Sequence, residues 1–421
     1  MNSFYYQGNR LFAEKVSLEY VASKVGTPAY VYSKAHFVDR FLKIEEAFGH
    51  QPHGVCLAMK ANNNPAVLRL FAELGAGADV VSRGELTMAL KAGMAPQKIV
   101  FAGVGKRDDE IAFALGKDIL AFNVESEQEL EVINRIALQM KRKAPVNIRV
   151  NPDINSRSHP YISTGMSKNK FGIAIGKSEK VFEKAAALPG IRLLGVHSHI
   201  GSQILSVNPF VESARSLRRL VLNLQKKGIR PELIDIGGGL GVDYIQVIDE
   251  PPYEAIEIEM PPTPKELMQT VLPVLGDLGC RIIFEPGRFL TANGGVLLTR
   301  VLYRKETEQK KFAIVDAGMN DLIRPSLYGA YHRIVPVQKN PAQKRTTLDV
   351  VGPICESGDF FAKDRPLPDI QRGDLLAVLS AGAYAYTLAS VYNGRPRAPE
   401  VLVDAGSFSV VRAREKTEDL V

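Results

Sequence analysis

Val55-Cys56-Leu57-Ala58-Met59-Lys60, followed after a short polar break by Pro65-Ala66-Val67-Leu68-Arg69-Leu70-Phe71-Ala72-Glu73-Leu74, is the unit whose repetition decides the fold. The first run is short and apolar up to its last residue, as a strand buried on both faces is. In the second, Val67, Leu70, Phe71 and Leu74 recur at helical spacing. Similar apolar runs follow at 78–82, 99–102, 119–123, 146–150, 193–199, 233–236 and 282–285, and helical-period segments lie between them at 85–92, 127–140 and 211–227. Eight such units predict a parallel sheet closed into a (β/α)₈, TIM-type barrel, with an open doubly wound sheet as the alternative.

After Arg288 the pattern changes to β runs at 296–303, 312–315, 348–351, 375–379 and 407–411, separated by Gly, Pro and Asp turns. The expected organisation is therefore a barrel over 34–293 and a second, mostly antiparallel β-barrel or sandwich domain built from 1–33 and 294–421. Two domains suit 421 residues with 45% hydrophobic content. The segment 249–264 holds five prolines and five acids and reads as a loop.

A formal charge of +7 is spread over a chain whose basic clusters, such as Lys141-Arg142-Lys143, lack interleaved aromatics, which argues against nucleic-acid binding. Cys56, Cys280 and Cys355 have no CxxC spacing, so neither a disulfide framework nor a zinc site is expected, and a reducing cytoplasm fits. No apolar stretch reaches membrane-spanning length.

Barrel active sites form at the C-terminal strand ends, and here those ends are rich in reactive groups. The first ends in Lys60, a lysine closing an apolar strand; it invites a Schiff-base reading, against that of a lysine snorkelling from the rim. Asp79, Glu85, Arg149, His197 and His199 follow, then Asp235-Ile236-Gly237-Gly238-Gly239-Leu240-Gly241 and Glu285-Pro286-Gly287-Arg288. The glycine run has Val242 where a dinucleotide fingerprint needs its last glycine, which disfavours NAD; it suits either a phosphate loop or a tight turn. His197-Ser198-His199 places two imidazoles on one strand face, a metal-compatible spacing without an evident third ligand. No metal is expected. Glu285 is placed to hold a protonated pyridine nitrogen, and Arg288 to grip a carboxylate or phosphate, unless the two are a surface pair.

Taken in order, His159-Pro160-Tyr161-Ile162-Ser163-Thr164-Gly165, His197-Ser198-His199-Ile200-Gly201-Ser202-Gln203, Glu285-Pro286-Gly287-Arg288, Asn320-Asp321-Leu322-Ile323-Arg324-Pro325, Cys355-Glu356-Ser357-Gly358-Asp359 and Gly382-Ala383-Tyr384 resemble the fold-type III pyridoxal-phosphate-dependent decarboxylases. The likeness runs from about 26–32 to 392–396. It implies that pyridoxal 5'-phosphate is carried on Lys60, with His199 stacked on its ring and Glu285 at its nitrogen. Asp79, Glu85 and Arg149 match positions that support lysine and cofactor, while Ser202, Gly238, Gly239, Gly287, Arg288 and Tyr384 would surround the phosphate. Arg288, Arg324, Tyr328, Glu356 and Tyr384 would hold the substrate, and Cys355 would protonate Cα.

The resemblance also implies a head-to-tail homodimer in which Cys355, Glu356 and Tyr384 are contributed across the interface. The implied reaction is decarboxylation of meso-2,6-diaminopimelate to L-lysine and CO₂, the last step of lysine biosynthesis. A distal carboxylate and ammonium call for cationic and anionic partners, which Arg288, Arg324 and Glu356 supply as a set. Ornithine, arginine and carboxynorspermidine are the alternative substrates. A racemase of this fold tends to have arginine where Glu285 stands, and a silent homologue commonly loses the lysine, the glutamate or the cysteine. Leu57 departs from the tyrosine many relatives carry, so no role for a phenol is transferred there.

Overall fold

Alternation of buried apolar runs with capped helices yields a closed barrel in a unit made of residues 40–241 and 261–287. The computed structural model describes residues 3–154, 169–254, 256, 259–340 and 342–420; the His159–Gly165 motif lies outside them. Eight strands form the wall among the described residues: β1 (His53–Ala58), β2 (Gly77–Val80), β3 (Ile99–Phe101), β4 (Ala121–Val124), β5 (Ala144–Asn151), β6 (Ile191–His197), β7 (Leu233–Asp235) and β8 (Arg281–Phe284). Each pairs in parallel with the next, and β8 returns to β1 through Ile282↔His53 and Phe284↔Val55. Closure excludes the open doubly wound sheet.

Capping residues set the helix starts, soon after the strand exit at Ser82 and Ser126 and after longer loops at Asn64 and Thr263. Asn64, Ser82, Ser126 and Thr263 each accept a backbone N–H from the first turn of the helix they precede, each cap contributing about 1 kcal/mol. Proline at the first helical position adds to this for Pro65–Glu73 and Pro264–Leu275, so the loop expected over 249–264 ends one residue earlier than expected.

Inside the barrel, Cys56, Val100, Ala121, Leu194, Leu233 and Ile283 form one apolar layer. Side chains two residues further on point to the same face of a strand. They are Asn123 after Ala121, Asp235 after Leu233 and Glu285 after Ile283, all buried. The barrel is therefore apolar towards the N-terminal strand ends and polar towards the C-terminal ends.

The second unit comprises residues 1–39, 242–260 and 288–421. Its main sheet runs Phe360–Pro368, Arg345–Val351, Lys311–Val315, Gly295–Glu306, Ala29–Ser33, Glu400–Asp404 and Ser407–Arg412, with Leu375–Val378 also paired to Gly295–Glu306. Pairing is mostly antiparallel. Lys311–Val315 with Arg345–Val351 and Ala29–Ser33 with Glu400–Asp404 are parallel. The acidic segment is tied to this unit: Arg333 donates to the carbonyls of Ile245, Glu250 and Pro251 at 2.8–3.0 Å, and Ile248 is buried in the apolar cluster with Val31 and Val335. Tyr331 and Arg365 both reach Glu254.

Candidate active site

Lys60 stands two residues past β1, in a turn, and its Nζ lies 2.9 Å from Oδ2 of Asp79, the third residue of β1's neighbour β2. The strand ends at Ala58, and in the turn that follows the lysine side chain is 44% exposed while Asp79 is 1% exposed. The cost of burial thus falls on the aspartate. Desolvation pushes the Asp79 carboxyl up, and the Lys60 charge opposes that. Glu85, whose backbone N–H is capped by Ser82, accepts the Val81 N–H, and burial raises it to about 7 despite that bond.

At the far wall, β6 ends at His197, so His197 and His199 do not share a strand face as the spacing suggested. His199 Nδ1 accepts the Gly238 N–H at 3.0 Å, which leaves Nε2 to carry the proton of a neutral ring. Burial first, then the Lys60 and Arg149 charges, hold His199 well below the ordinary imidazole range. His197 instead sits with Nε2 3.4 Å from Glu285 Oε2. His197, Asp235 and Glu285 bring one ligand-type atom each within 4.8 Å of one another, a grouping in which two carboxylates, and not His199, stand beside His197. Asn123 Nδ2, however, already donates to both carboxylates, at 3.4 Å to Asp235 and 3.1 Å to Glu285, and Asn147 holds the Asn123 oxygen at 2.9 Å.

This floor sets the state of Glu285. Burial raises its carboxyl, but the His197 and Lys60 charges and hydrogen bonding to His197 and Asp235 outweigh it and hold Glu285 well below the usual carboxylate range. Asp235 moves the opposite way, raised by burial and by Glu285. Two adjacent buried carboxyl groups cannot both ionise cheaply, and here Glu285 keeps the charge.

The glycines of the sequence motifs fall into two kinds. At Gly238 a Cβ would lie 2.2 Å from the Glu285 carbonyl oxygen, so its absent side chain is needed for the β7 and β8 exits to meet. Its N–H serves His199, where the sequence suggested phosphate. Gly239 follows with φ +106°. At Gly287 a Cβ would stand 2.9 Å from that of Ala61 and 3.0 Å from that of Ala58, the residues that bracket Lys60. Ser202 lies in the half-buried turn after β6. Arg149 pairs with Glu125 at 2.5 Å, both buried, and its guanidinium carbon lies 4.8 Å from the Phe171 ring centre. Leu57 is fully buried.

The remaining expected residues belong to the second unit. Arg288 and Arg324 are 5% and 6% exposed. Arg288 lies 4.8 Å from the Tyr384 ring centre, and Tyr328 closes the short helix that Arg324 opens. Arg324 Nη1 meets His332 Nε2 at 2.7 Å, and His332 Nδ1 meets the Leu379 carbonyl at 2.8 Å. Cys355 and Glu356 are exposed; the Cys355 N–H donates to Asn393 Oδ1 and Tyr392 Oη to Glu356.

Sequence reasoning missed Asn123, Glu125, Asn147, Tyr244 and His332. The signal for the first three was a polar residue inside or just after an otherwise apolar strand. For Tyr244 and His332 no local signal exists.

Residues 34–292 match the pyridoxal binding domain of pyridoxal-dependent decarboxylases. The chain belongs to this decarboxylase family. It is 47% identical to the diaminopimelate decarboxylase of Aquifex aeolicus over 99% of this chain and 96% of that one, and 48% identical to that of Pseudomonas aeruginosa over 100% and 98%. A solved diaminopimelate decarboxylase of Helicobacter pylori, complexed with L-lysine, superposes with a TM-score of 0.89 at 42% identity, over 96% of this chain and 98% of that one. The chain thus falls in the diaminopimelate decarboxylase branch. No helix among the described residues is long and apolar enough to cross a membrane.

Proposed function

We propose that this chain binds pyridoxal 5'-phosphate through Lys60 and decarboxylates meso-2,6-diaminopimelate to L-lysine and CO₂. End-to-end similarity to diaminopimelate decarboxylases carries the reading. The residues present fit the cofactor: an accessible lysine amine paired to a buried carboxylate, a neutral imidazole face, and an ionised glutamate on the barrel floor. Glu285 would accept the ring N–H, His199 would cover a face, and Arg149, Ser202, Gly239 and Gly287 would line the surroundings. Gly238 would contribute through His199 and close approach. When bound, the cofactor supplies a sink for the electron pair left at Cα as CO₂ departs.

The chain's own residues do the rest. Asp79 Oδ2 holds the Lys60 proton at 2.9 Å and accepts it when the amine must act as a nucleophile. His197, Asn123 and Asp235 keep Glu285 charged. Arg288 and Arg324, with Tyr328, Glu356 and Tyr384, bind the carboxylate and ammonium of the end that does not react. The Cys355 thiol delivers a proton to Cα. We assign the barrel to 34–293, the β domain to 1–33 and 294–421, the active form to a homodimer with shared sites, and the location to the cytoplasm, where three free thiols persist.

A substrate panel tests this. Meso-diaminopimelate is expected to be turned over at least about a hundredfold faster in kcat/KM than ornithine, arginine, lysine or carboxynorspermidine, because an unfilled charged clamp costs several kcal/mol. Preference for a diamine precursor without a distal carboxylate would reject the assignment.

A further inference from the structure

Tyr244 sits among cations. It is 9% exposed, and its Oη accepts from Arg288 Nη1 at 2.6 Å. The Arg324 guanidinium carbon lies 5.0 Å from its ring centre and that of Arg288 6.0 Å. The His332 ring meets it edge-on at 5.4 Å, and His332, accepting from Arg324, brings no negative charge. Asp243, its neighbour in the chain, is turned to the N–H groups of Ile245 and Gln246. Tyr384 and Tyr328 approach Arg288 from their own elements, and Arg365 lies behind His332.

We propose that Tyr244 is a positioning residue whose hydroxyl oxygen serves Arg288 and Arg324 as their internal acceptor in the ligand-free protein, and gives up that role when a ligand carboxylate binds the two arginines. Two buried guanidinium groups repel one another and need an acceptor to stay in place. The phenol supplies it at short range. Burial raises the Tyr244 hydroxyl, yet the Arg288 and Arg324 charges and hydrogen bonds outweigh this and set it below the ordinary phenol range. A carboxylate arriving at the arginines competes with phenolate, so it raises the Tyr244 midpoint; by reciprocity, ligand affinity falls as pH rises through the ligand-free midpoint.

The inference rests on the reading that these arginines hold the substrate carboxylate, and the test separates the two. Holoprotein and its Tyr244→Phe variant are titrated with and without saturating L-lysine, and the difference in phenolate absorbance is followed. The expected midpoint lies below the ordinary value of about 10 without lysine and rises by about one unit with it. Lysine affinity in the parent then weakens by about tenfold in all as pH rises through the two midpoints, and that of Tyr244→Phe stays flat. KM for the substrate rises about tenfold in the variant with kcat nearly unchanged. A midpoint at or above the ordinary value, or one indifferent to bound lysine, overturns the proposal. Should L-lysine fail to bind, the substrate reading fails, and the same titration with inorganic phosphate decides the role of Tyr244. If Tyr244→Phe does not fold, 3-fluorotyrosine at 244 keeps the hydroxyl and must lower the midpoint.

Discussion

Lys60 and Asp79 divide a cost between them: the amine stays exposed and the carboxylate paired with it bears the burial. Lys60→Ala is expected to lose turnover entirely, together with the absorbance and borohydride-trappable attachment of added pyridoxal phosphate, while keeping its melting temperature within a few degrees. Retained attachment would move the cofactor elsewhere. Glu85 gives a second, purely thermodynamic handle. Its folded value of about 7 stands above the ordinary 4.5, so the protonated carboxyl is the stabilised form. Its contribution is complete below about pH 4.5, is lost as pH rises towards 7, and is absent above. Glu85→Gln keeps an acceptor for the Val81 N–H. Measured by denaturant melts, the variant should match the parent at pH 4.5 and exceed it by about 3 kcal/mol at pH 8; equal curves at both pH values would show that Glu85 ionises freely.

Among elements, the turns at the C-terminal strand ends carry the site, and their glycines show how tightly. Gly287→Ala would press a methyl against Ala58 and Ala61, moving the turn that presents Lys60. It is expected to lower kcat by tenfold or more for a stability loss of about 1–2 kcal/mol, whereas Gly238→Ala, facing a main-chain carbonyl, should cost about 3 kcal/mol and impair folding first. Steady-state rates beside thermal melts separate the two. These turns were legible because parallel strands are apolar on both faces and stop at polar, glycine or proline residues, so the runs around 55–60, 233–236 and 282–285 announce their own ends. The floor was not. Asn123 and Asn147 differ from surface asparagines only in which strand face they occupy, and that depends on register, which short runs such as Ala121–Val124 leave open. The Arg324–His332–Leu379 chain depends on long-range pairing of the β unit, for which no local pattern exists.

For the molecule as a whole, the proposed dimer would use Cys355 and Glu356, both exposed in the single chain, to complete a site of the partner. Mixing Lys60→Ala with Cys355→Ala under conditions of subunit exchange is therefore expected to restore activity, up to about a quarter of the parental sites, since half the dimers would be mixed and each would hold one intact site. No recovery, with exchange verified by mass, would put both residues in one chain's site. The likeness of the ordered motifs extended over nearly the whole chain, which is why the reaction could be read from sequence when Tyr244 could not. The most direct measurement is mass balance on purified protein supplied with pyridoxal phosphate and meso-diaminopimelate: L-lysine and CO₂ in equal amounts are predicted, and substrate recovered unchanged from protein that has bound its cofactor would contradict the account.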